Sequence, residues 1–191
     1  MTLGVVKVCS MVLLGLAGCA PASPRTDPVP QAITDDDTRY FSEHPLMVPV
    51  AGVSPDRVRN SFNDARGGSR THRAIDIPAP RETPVVAAIS GEVISLKQNA
   101  AGGITAYLAD DERRYVYYYA HLEYYSAAIT EGLKVHQGFV IGFVGTSGNA
   151  PPDTPHLHFQ VMRLAPGQRD WWNGSPVDAR VFMTKTGAVR E

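Results

Sequence analysis

What most constrains the fold of this chain is a series of short apolar runs punctuated by glycine-rich turns. Pro84–Ile89, Glu92–Leu96, Ile104–Leu108, Tyr115–His121, Phe139–Val144 and His156–Met162 are five to seven residues each. That is the length of a strand rather than a helix. Leu46–Val50 reads as one more short strand. Ser90-Gly91 joins the first two runs as a hairpin, and Asp110-Asp111-Glu112-Arg113 joins the next two. Only Glu123–Thr130 has the reading of a short helix, and no internal repeat or long amphipathic helix is present. The pattern predicts a mainly β fold: an antiparallel sheet arranged as an open barrel or sandwich, with short loops.

The 191 residues, 43% hydrophobic and 19% charged, suffice for one globular domain and a tail. A net charge of −1 without a Lys/Arg run longer than two argues against nucleic acid as the main partner. At the N-terminus, Lys7 is the only charge before the apolar run Met11–Ala17. The run is too short to span a membrane and fits the core of a secretory signal. It ends in Leu16-Ala17-Gly18-Cys19, which resembles the bacterial lipobox, where cleavage precedes a lipidated cysteine. Ala20 resembles the sorting pattern of outer-membrane lipoproteins, implying a lipid anchor on the outer membrane facing the periplasm. Cys9 falls in the signal and Cys19 at the lipid, so the mature domain has no thiol for a disulfide.

Pro21, Pro24, Pro28, Pro30 and the run Asp35-Asp36-Asp37 then read as an extended tether, which at roughly 3.3 Å per residue reaches on the order of 80 Å. The expected organisation is a signal over 1–18, a tether over 19–44, a domain over 45–180 and a tail over 181–191. His44 in the tether and His136 in a turn read as solvated. Trp171-Trp172, in the C-terminal extension, are expected to pack on the domain, because paired indoles are costly to expose.

The candidate chemistry lies in three histidine-bearing segments. In an extended Pro155–Phe159, His156 and His158 point to one face and Leu157 and Phe159 to the other. His72 and Asp76 are four apart. On a strand they share a face with the small Ala74, opposite Arg73, Ile75 and Ile77. Imidazole nitrogen with carboxylate oxygen suits zinc. His121 ends a strand and by alternation shares a face with Tyr115, Tyr117 and Tyr119, either of the last two being placed to line a groove beside it.

His-x-x-x-Asp, then Tyr-Ala-His-Leu, then Pro-His-Leu-His-Phe, in that order, resembles the M23 (lysostaphin- and LytM-like) zinc metallopeptidases. The resemblance covers about residues 46–178. It includes Arg66-Gly67-Gly68, Thr83-Pro84-Val85, Gly145-Thr146-Ser147-Gly148-Asn149 and Trp171 to Asp178. It implies a LytM-like fold with a duplicated hybrid motif and Zn²⁺ held by His72, Asp76 and His158. His121 and His156 become the catalytic histidines that do not bind metal, and the substrate becomes the peptide stems of peptidoglycan. Which histidine does which is left open, as is the oligomeric state. Two positions depart from the family: Ala74 stands where Gly is usual, and Gln160 where Glu is usual. Some relatives bind the wall or activate amidases without cutting, after losing zinc ligands. That remains the alternative, although every ligand position is filled here.

Overall fold

The computed structural model describes residues 32–67 and 70–184. The signal, the lipobox with Cys19 and residues 185–191 lie outside the described residues. One helix, α1 (Asp35–Glu43), precedes strands β1 (Leu46–Met47), β2 (Ala65–Arg66), β3 (Arg70–Thr71), β4 (Ile75–Pro78) and β5 (Pro84–Val86). Strands β6 (Gly91–Asn99), β7 (Gly103–Ala109), β8 (Tyr115–Tyr125), β9 (Lys134–Val135) and β10 (Val140–Val144) follow. The chain closes with β11 (His156–Arg163), β12 (Ser175–Val177) and β13 (Met183–Thr184).

Nine of these strands form one sheet in the order β12-β11-β8-β7-β6-β9, with β4 beside β11, and β10 bridging β8 and β5. All pairings within it are antiparallel and the sheet does not close into a barrel. Alternation decides its two faces. Tyr115, Tyr117 and Tyr119 of β8 and Leu157 and Phe159 of β11 are fully buried in the core, with Ile75 and Ile77 of β4. Each of the Leu, Ile and Phe side chains contributes about 1.5–3 kcal/mol by leaving water. Asp76, His158 and Gln160 are consequently left on the other face, over an open groove.

Several expectations are corrected. The tether ends before residue 44, because residues 35–43 are helical. Thr34 caps α1, accepting from Asp37 N–H while the Asp37 carboxylate accepts from Thr34 N–H at 2.7 Å. The acidic run is thus the first turn of a helix, where carboxylates oppose the positive end of its dipole. Tyr40 and Phe41 are buried, with Phe41 stacked on Phe182 at 4.8 Å, and His44 is stacked on Tyr40 at 4.5 Å rather than solvated. Second, Glu123 to Tyr125 prolong β8 and no helix follows. Aromatic and charged residues at the end of a strand carry no helical information once β10 pairs with them. Third, β5 and β6 are not a hairpin: β5 pairs with β10, and β6 with β7 and β9, so Ser90-Gly91 is a crossing between partners. The β7–β8 hairpin forms as the sequence predicts. Of the C-terminal residues, Met183 and Thr184 pair with β1, so residues 181–184 belong to the fold and not to a tail.

Candidate metal centre

Strand register brings the first two donors together. In the antiparallel pairing of β4 and β11, His158 lies opposite Asp76, and on its other side β8 places Ala120 beside it. A methyl group at Ala120 leaves the space above His158 open. His72 reaches the same point from outside the sheet. It is not on a strand continuous with Asp76, as its spacing suggests, because β3 ends at Thr71 and Arg73 turns the chain at φ 58°. Few residues other than glycine adopt that backbone, so the surroundings must hold it. Arg73 N–H donates to the Phe62 carbonyl at 2.8 Å, and the Gln160 amide donates to the Arg73 carbonyl at 3.0 Å. A carboxylate at position 160 would have no proton to give that carbonyl. The departure from the usual Glu thus has a local partner here.

His72 Nε2, Asp76 Oδ1 and His158 Nδ1 form a triangle with edges of 3.0, 3.1 and 3.0 Å. Zinc at about 2.0–2.2 Å from each of four tetrahedral ligands requires ligand–ligand edges of about 3.3–3.6 Å. The donors would therefore fit one tetrahedral face after opening by a few tenths of an ångström, and all three side chains line the groove. Two features fix the donors' orientation. Ser61, fully buried, accepts from His72 Nδ1 through its carbonyl at 2.9 Å and from Asp76 N–H through its hydroxyl at 2.9 Å. Since a carbonyl only accepts, His72 carries its proton on Nδ1 and turns the Nε2 lone pair to the triangle. Arg66 pairs with the other Asp76 oxygen, leaving Oδ1 for the cluster. Burial pushes the Asp76 carboxyl up, but hydrogen bonds and charge from His158 and His72 outweigh it and hold it well below the usual carboxylate range. Burial lowers His158.

His121 and His156 stand beside the triangle. Their rings are 5.0 Å apart, His121 is 5.6 Å from His158, and His156 Nε2 is 3.9 Å from Asp76 Oδ1. Each donates Nδ1–H to a backbone carbonyl, His121 to Ser147 and His156 to Thr154, both at 2.8 Å. Both Nε2 lone pairs are therefore available to the groove. Burial pulls His121 down to about 4.

Strict alternation would send His121 into the core with Tyr117 and Tyr119. It faces the groove instead because His121 adopts φ 61° where the β7–β8 register slips by one residue. The same slip corrects the tyrosine assignment: Tyr117 and Tyr119 are core, and Tyr118, packed edge-on to His158 at 6.0 Å, lines the groove. Ser147 anchors the slip. Its hydroxyl donates to Leu122 O at 2.6 Å and accepts from Ile104 N–H at 2.9 Å, while its carbonyl holds His121. Gly103 (φ 67°) makes that contact possible, since a Cβ there would sit 2.3 Å from the Ser147 carbonyl carbon.

All five residues expected from the sequence, His72, Asp76, His121, His156 and His158, converge on this one point. Ser61, Ser147 and Tyr118 were not expected. Ser147 lies in a segment the resemblance includes, whereas no local pattern distinguishes Ser61. Fold and site together define a class: antiparallel β proteins whose open groove holds a donor triangle for a cation and two bases with lone pairs turned toward it.

Within that class the chain belongs to peptidase family M23, whose family model matches residues 70–179. It is 35% identical to the L-Ala–D-Glu endopeptidase of Bacillus subtilis (strain 168) over 138 residues, 69% of this chain and 41% of that protein. It is 32% identical to the peptidoglycan DD-endopeptidase ShyC of Vibrio cholerae over 141 residues, 69% of this chain and 31% of that one. The chain thus spans less than half the length of these relatives. Among solved structures it resembles LytU (28% identity, TM-score 0.53, 65% of this chain and 81% of that one). It also resembles a zinc containing peptidase from Vibrio cholerae (25% identity, TM-score 0.57, 71% of this chain and 39% of that one).

Proposed function

We propose that this chain is a zinc-dependent endopeptidase that hydrolyses peptide cross-links of bacterial peptidoglycan. The observation that carries the reading is the His72/Asp76/His158 triangle, with edges of 3.0–3.1 Å, open to a groove of about 1470 Å³ and flanked by two inward-facing imidazoles. His72 Nε2, Asp76 Oδ1 and His158 Nδ1 would hold the metal. Zinc in such a site supplies a Lewis acid and a bound water with a pKa near 7. The protein's own contribution is positional and protonic. His121 and His156, fixed through Nδ1, present Nε2 to the groove, where one can accept a proton from an attacking water. The other, when protonated, can donate to the oxygen that becomes negative in the tetrahedral intermediate.

The two relatives named above cut, by their names, different peptide bonds, so membership of the family does not by itself set which bond is cut. The groove walls do, among them the loop over 149–154 and the segment Pro78–Pro80. The test is to incubate the zinc-loaded protein with purified peptidoglycan and identify the released muropeptides by mass spectrometry. New amine and carboxyl termini within the stems are expected. Wall binding without any release by the zinc-loaded protein would overturn the peptidase reading in favour of a wall-binding or amidase-activating module.

The lipobox supports a further part of the proposal: Cys19 carries the lipid, and the segment between it and α1 leashes the domain to the outer membrane on its periplasmic side. One lipidated cysteine bearing several acyl chains anchors stably, because each buried methylene adds about 0.8 kcal/mol. Fatty-acid label should enter the wild-type chain and not Cys19→Ala. Equal labelling of both would contradict the anchor.

A further inference from the structure

One end of the groove is built differently from the metal centre. From His158 a row of aromatic rings leads outward in steps of 4.5–6.0 Å: Tyr118, Tyr107, Trp171 and Trp172. The rings come from β8, β7 and a 3₁₀ turn over Trp171–Asn173, so separate parts of the chain converge to make the row. Below it Ala109, Val116 and Met162 form a small apolar cluster, supported by Ile94 and Leu164. Lys97 of β6 holds its ammonium 5.3 Å over the Trp171 ring. Trp172 remains 49% exposed, the largest side chain left open to water among the described residues. The sequence predicts that both indoles pack on the domain; Trp171 does, and Trp172 meets it edge-on with half its surface open to water. The rings are not coplanar, successive planes being turned by 32–85°, so the row is a stepped aromatic shelf continuous with the metal centre, a surface suited to a ligand.

We propose that this shelf is a saccharide subsite that takes the N-acetylated pyranose rings of the glycan strand from which the stem peptides hang. The proposal rests on the peptidoglycan reading above and deepens it. The chemistry selects the sugar over the peptide. A β-linked amino sugar carries its substituents around the rim and leaves axial C–H groups on its faces. Such faces are apolar, flat and weakly positive, and they match the negative face of an indole or phenol ring. The rim hydroxyl and acetamido groups would then meet the Lys97 ammonium and the Asn173 side chain, both of which line the groove. Stem peptides instead offer alanine methyls, carboxylates and amines. A methyl is too small to cover an indole face, and a carboxylate is repelled by ring faces.

The chain's two tryptophans are Trp171 and Trp172, so its indole fluorescence reports on this shelf alone. Full-length protein titrated with the β-1,4-linked tetramer of N-acetylglucosamine should show a saturable change in emission. Trp172→Ala should weaken binding about ten-fold, the loss expected for one stacked ring, while Trp172→Phe retains most of it. Because Trp172 is half exposed, neither change threatens folding. No response at millimolar tetramer, or equal affinity in the alanine variant, would overturn the subsite. A second readout compares kcat/KM on cross-linked muropeptides bearing the disaccharide with the same peptides stripped of sugar. The ratio should fall at least about five-fold in Trp172→Ala; an equal fall on both substrates would assign the shelf to peptide and overturn the proposal. If the wild type cut neither substrate, the peptidase reading would fail, and the tetramer titration would still decide the shelf.

Discussion

Ser61 holds two of the three donors at once, its carbonyl on His72 and its hydroxyl on the backbone of Asp76. Ser61→Ala keeps the carbonyl and removes the hydroxyl. It should leave the fold intact and weaken zinc about 10–100-fold, the usual effect of losing a group that orients a ligand. Competition with a fluorescent chelator measures this, and unaltered affinity would remove Ser61 from the centre. The two histidines of β11 separate more sharply. His158→Ala should lose the metal. His156→Ala should keep near-stoichiometric zinc and lose about 10²–10⁴-fold in turnover; if both variants retained zinc, the ligand assignment would be wrong. At this scale the sequence was informative wherever a residue's type itself implied its chemistry, as for imidazoles and a carboxylate in strand-end motifs. It was silent on Ser61, whose role depends on a loop folding back against two distant donors. It misassigned Tyr117 and Tyr119, because His121, at positive φ and past a register slip, changes face, so alternation counted back from it puts the two tyrosines on the groove side.

Between elements, the decisive contact is the approach of Gly103 to the loop over 147–148. Gly103→Ala would combine left-handed strain with a clash against backbone, a destabilisation of about 2–4 kcal/mol. Because Ser147 orients His121, turnover should fall further than zinc content does, as read by activity per bound metal. Helix α1 is held on the sheet by Asp37, whose carboxylate pairs with Arg163 and accepts from the Tyr115 hydroxyl at 2.6 Å. Burial raises the Asp37 carboxyl, but those bonds with Thr34 outweigh it, and its value lies below the ordinary one. A group lowered in the folded state adds stability above its unfolded value and loses it as pH falls through the folded value. The urea midpoint should therefore drop below about pH 4, and Asp37→Asn should flatten that drop while costing about 2–4 kcal/mol at neutral pH. An equally steep acid limb in the variant would place the pH dependence elsewhere. The strands were legible from their runs, and α1 was not. Its Asp35-Asp36-Asp37 looks like solvated chain until the capping by Thr34 and the burial of Tyr40 and Phe41 are seen.

Across the whole molecule, one open antiparallel sheet divides labour between its faces. The core face supplies rigidity through fully buried aromatic and branched side chains, and the groove face carries the donor triangle near its middle with the aromatic shelf toward one end. The β class and open sheet were readable from strand length and turn spacing. The pairing order was not, since β5 and β6 are adjacent in sequence yet bond to different partners. Such non-local choices are made by the packed core and not by the turn between two runs. The central proposal is that the His72/Asp76/His158 cluster would make this chain a metal-dependent hydrolase of peptidoglycan. Its most direct test is digestion of purified peptidoglycan by the zinc-loaded protein, by the same protein stripped with chelator and then resupplied with zinc, and by His158→Ala. The account predicts release of soluble muropeptides that chelator abolishes, zinc restores, and the variant never shows. Release that persists in metal-free protein or in His158→Ala would contradict it.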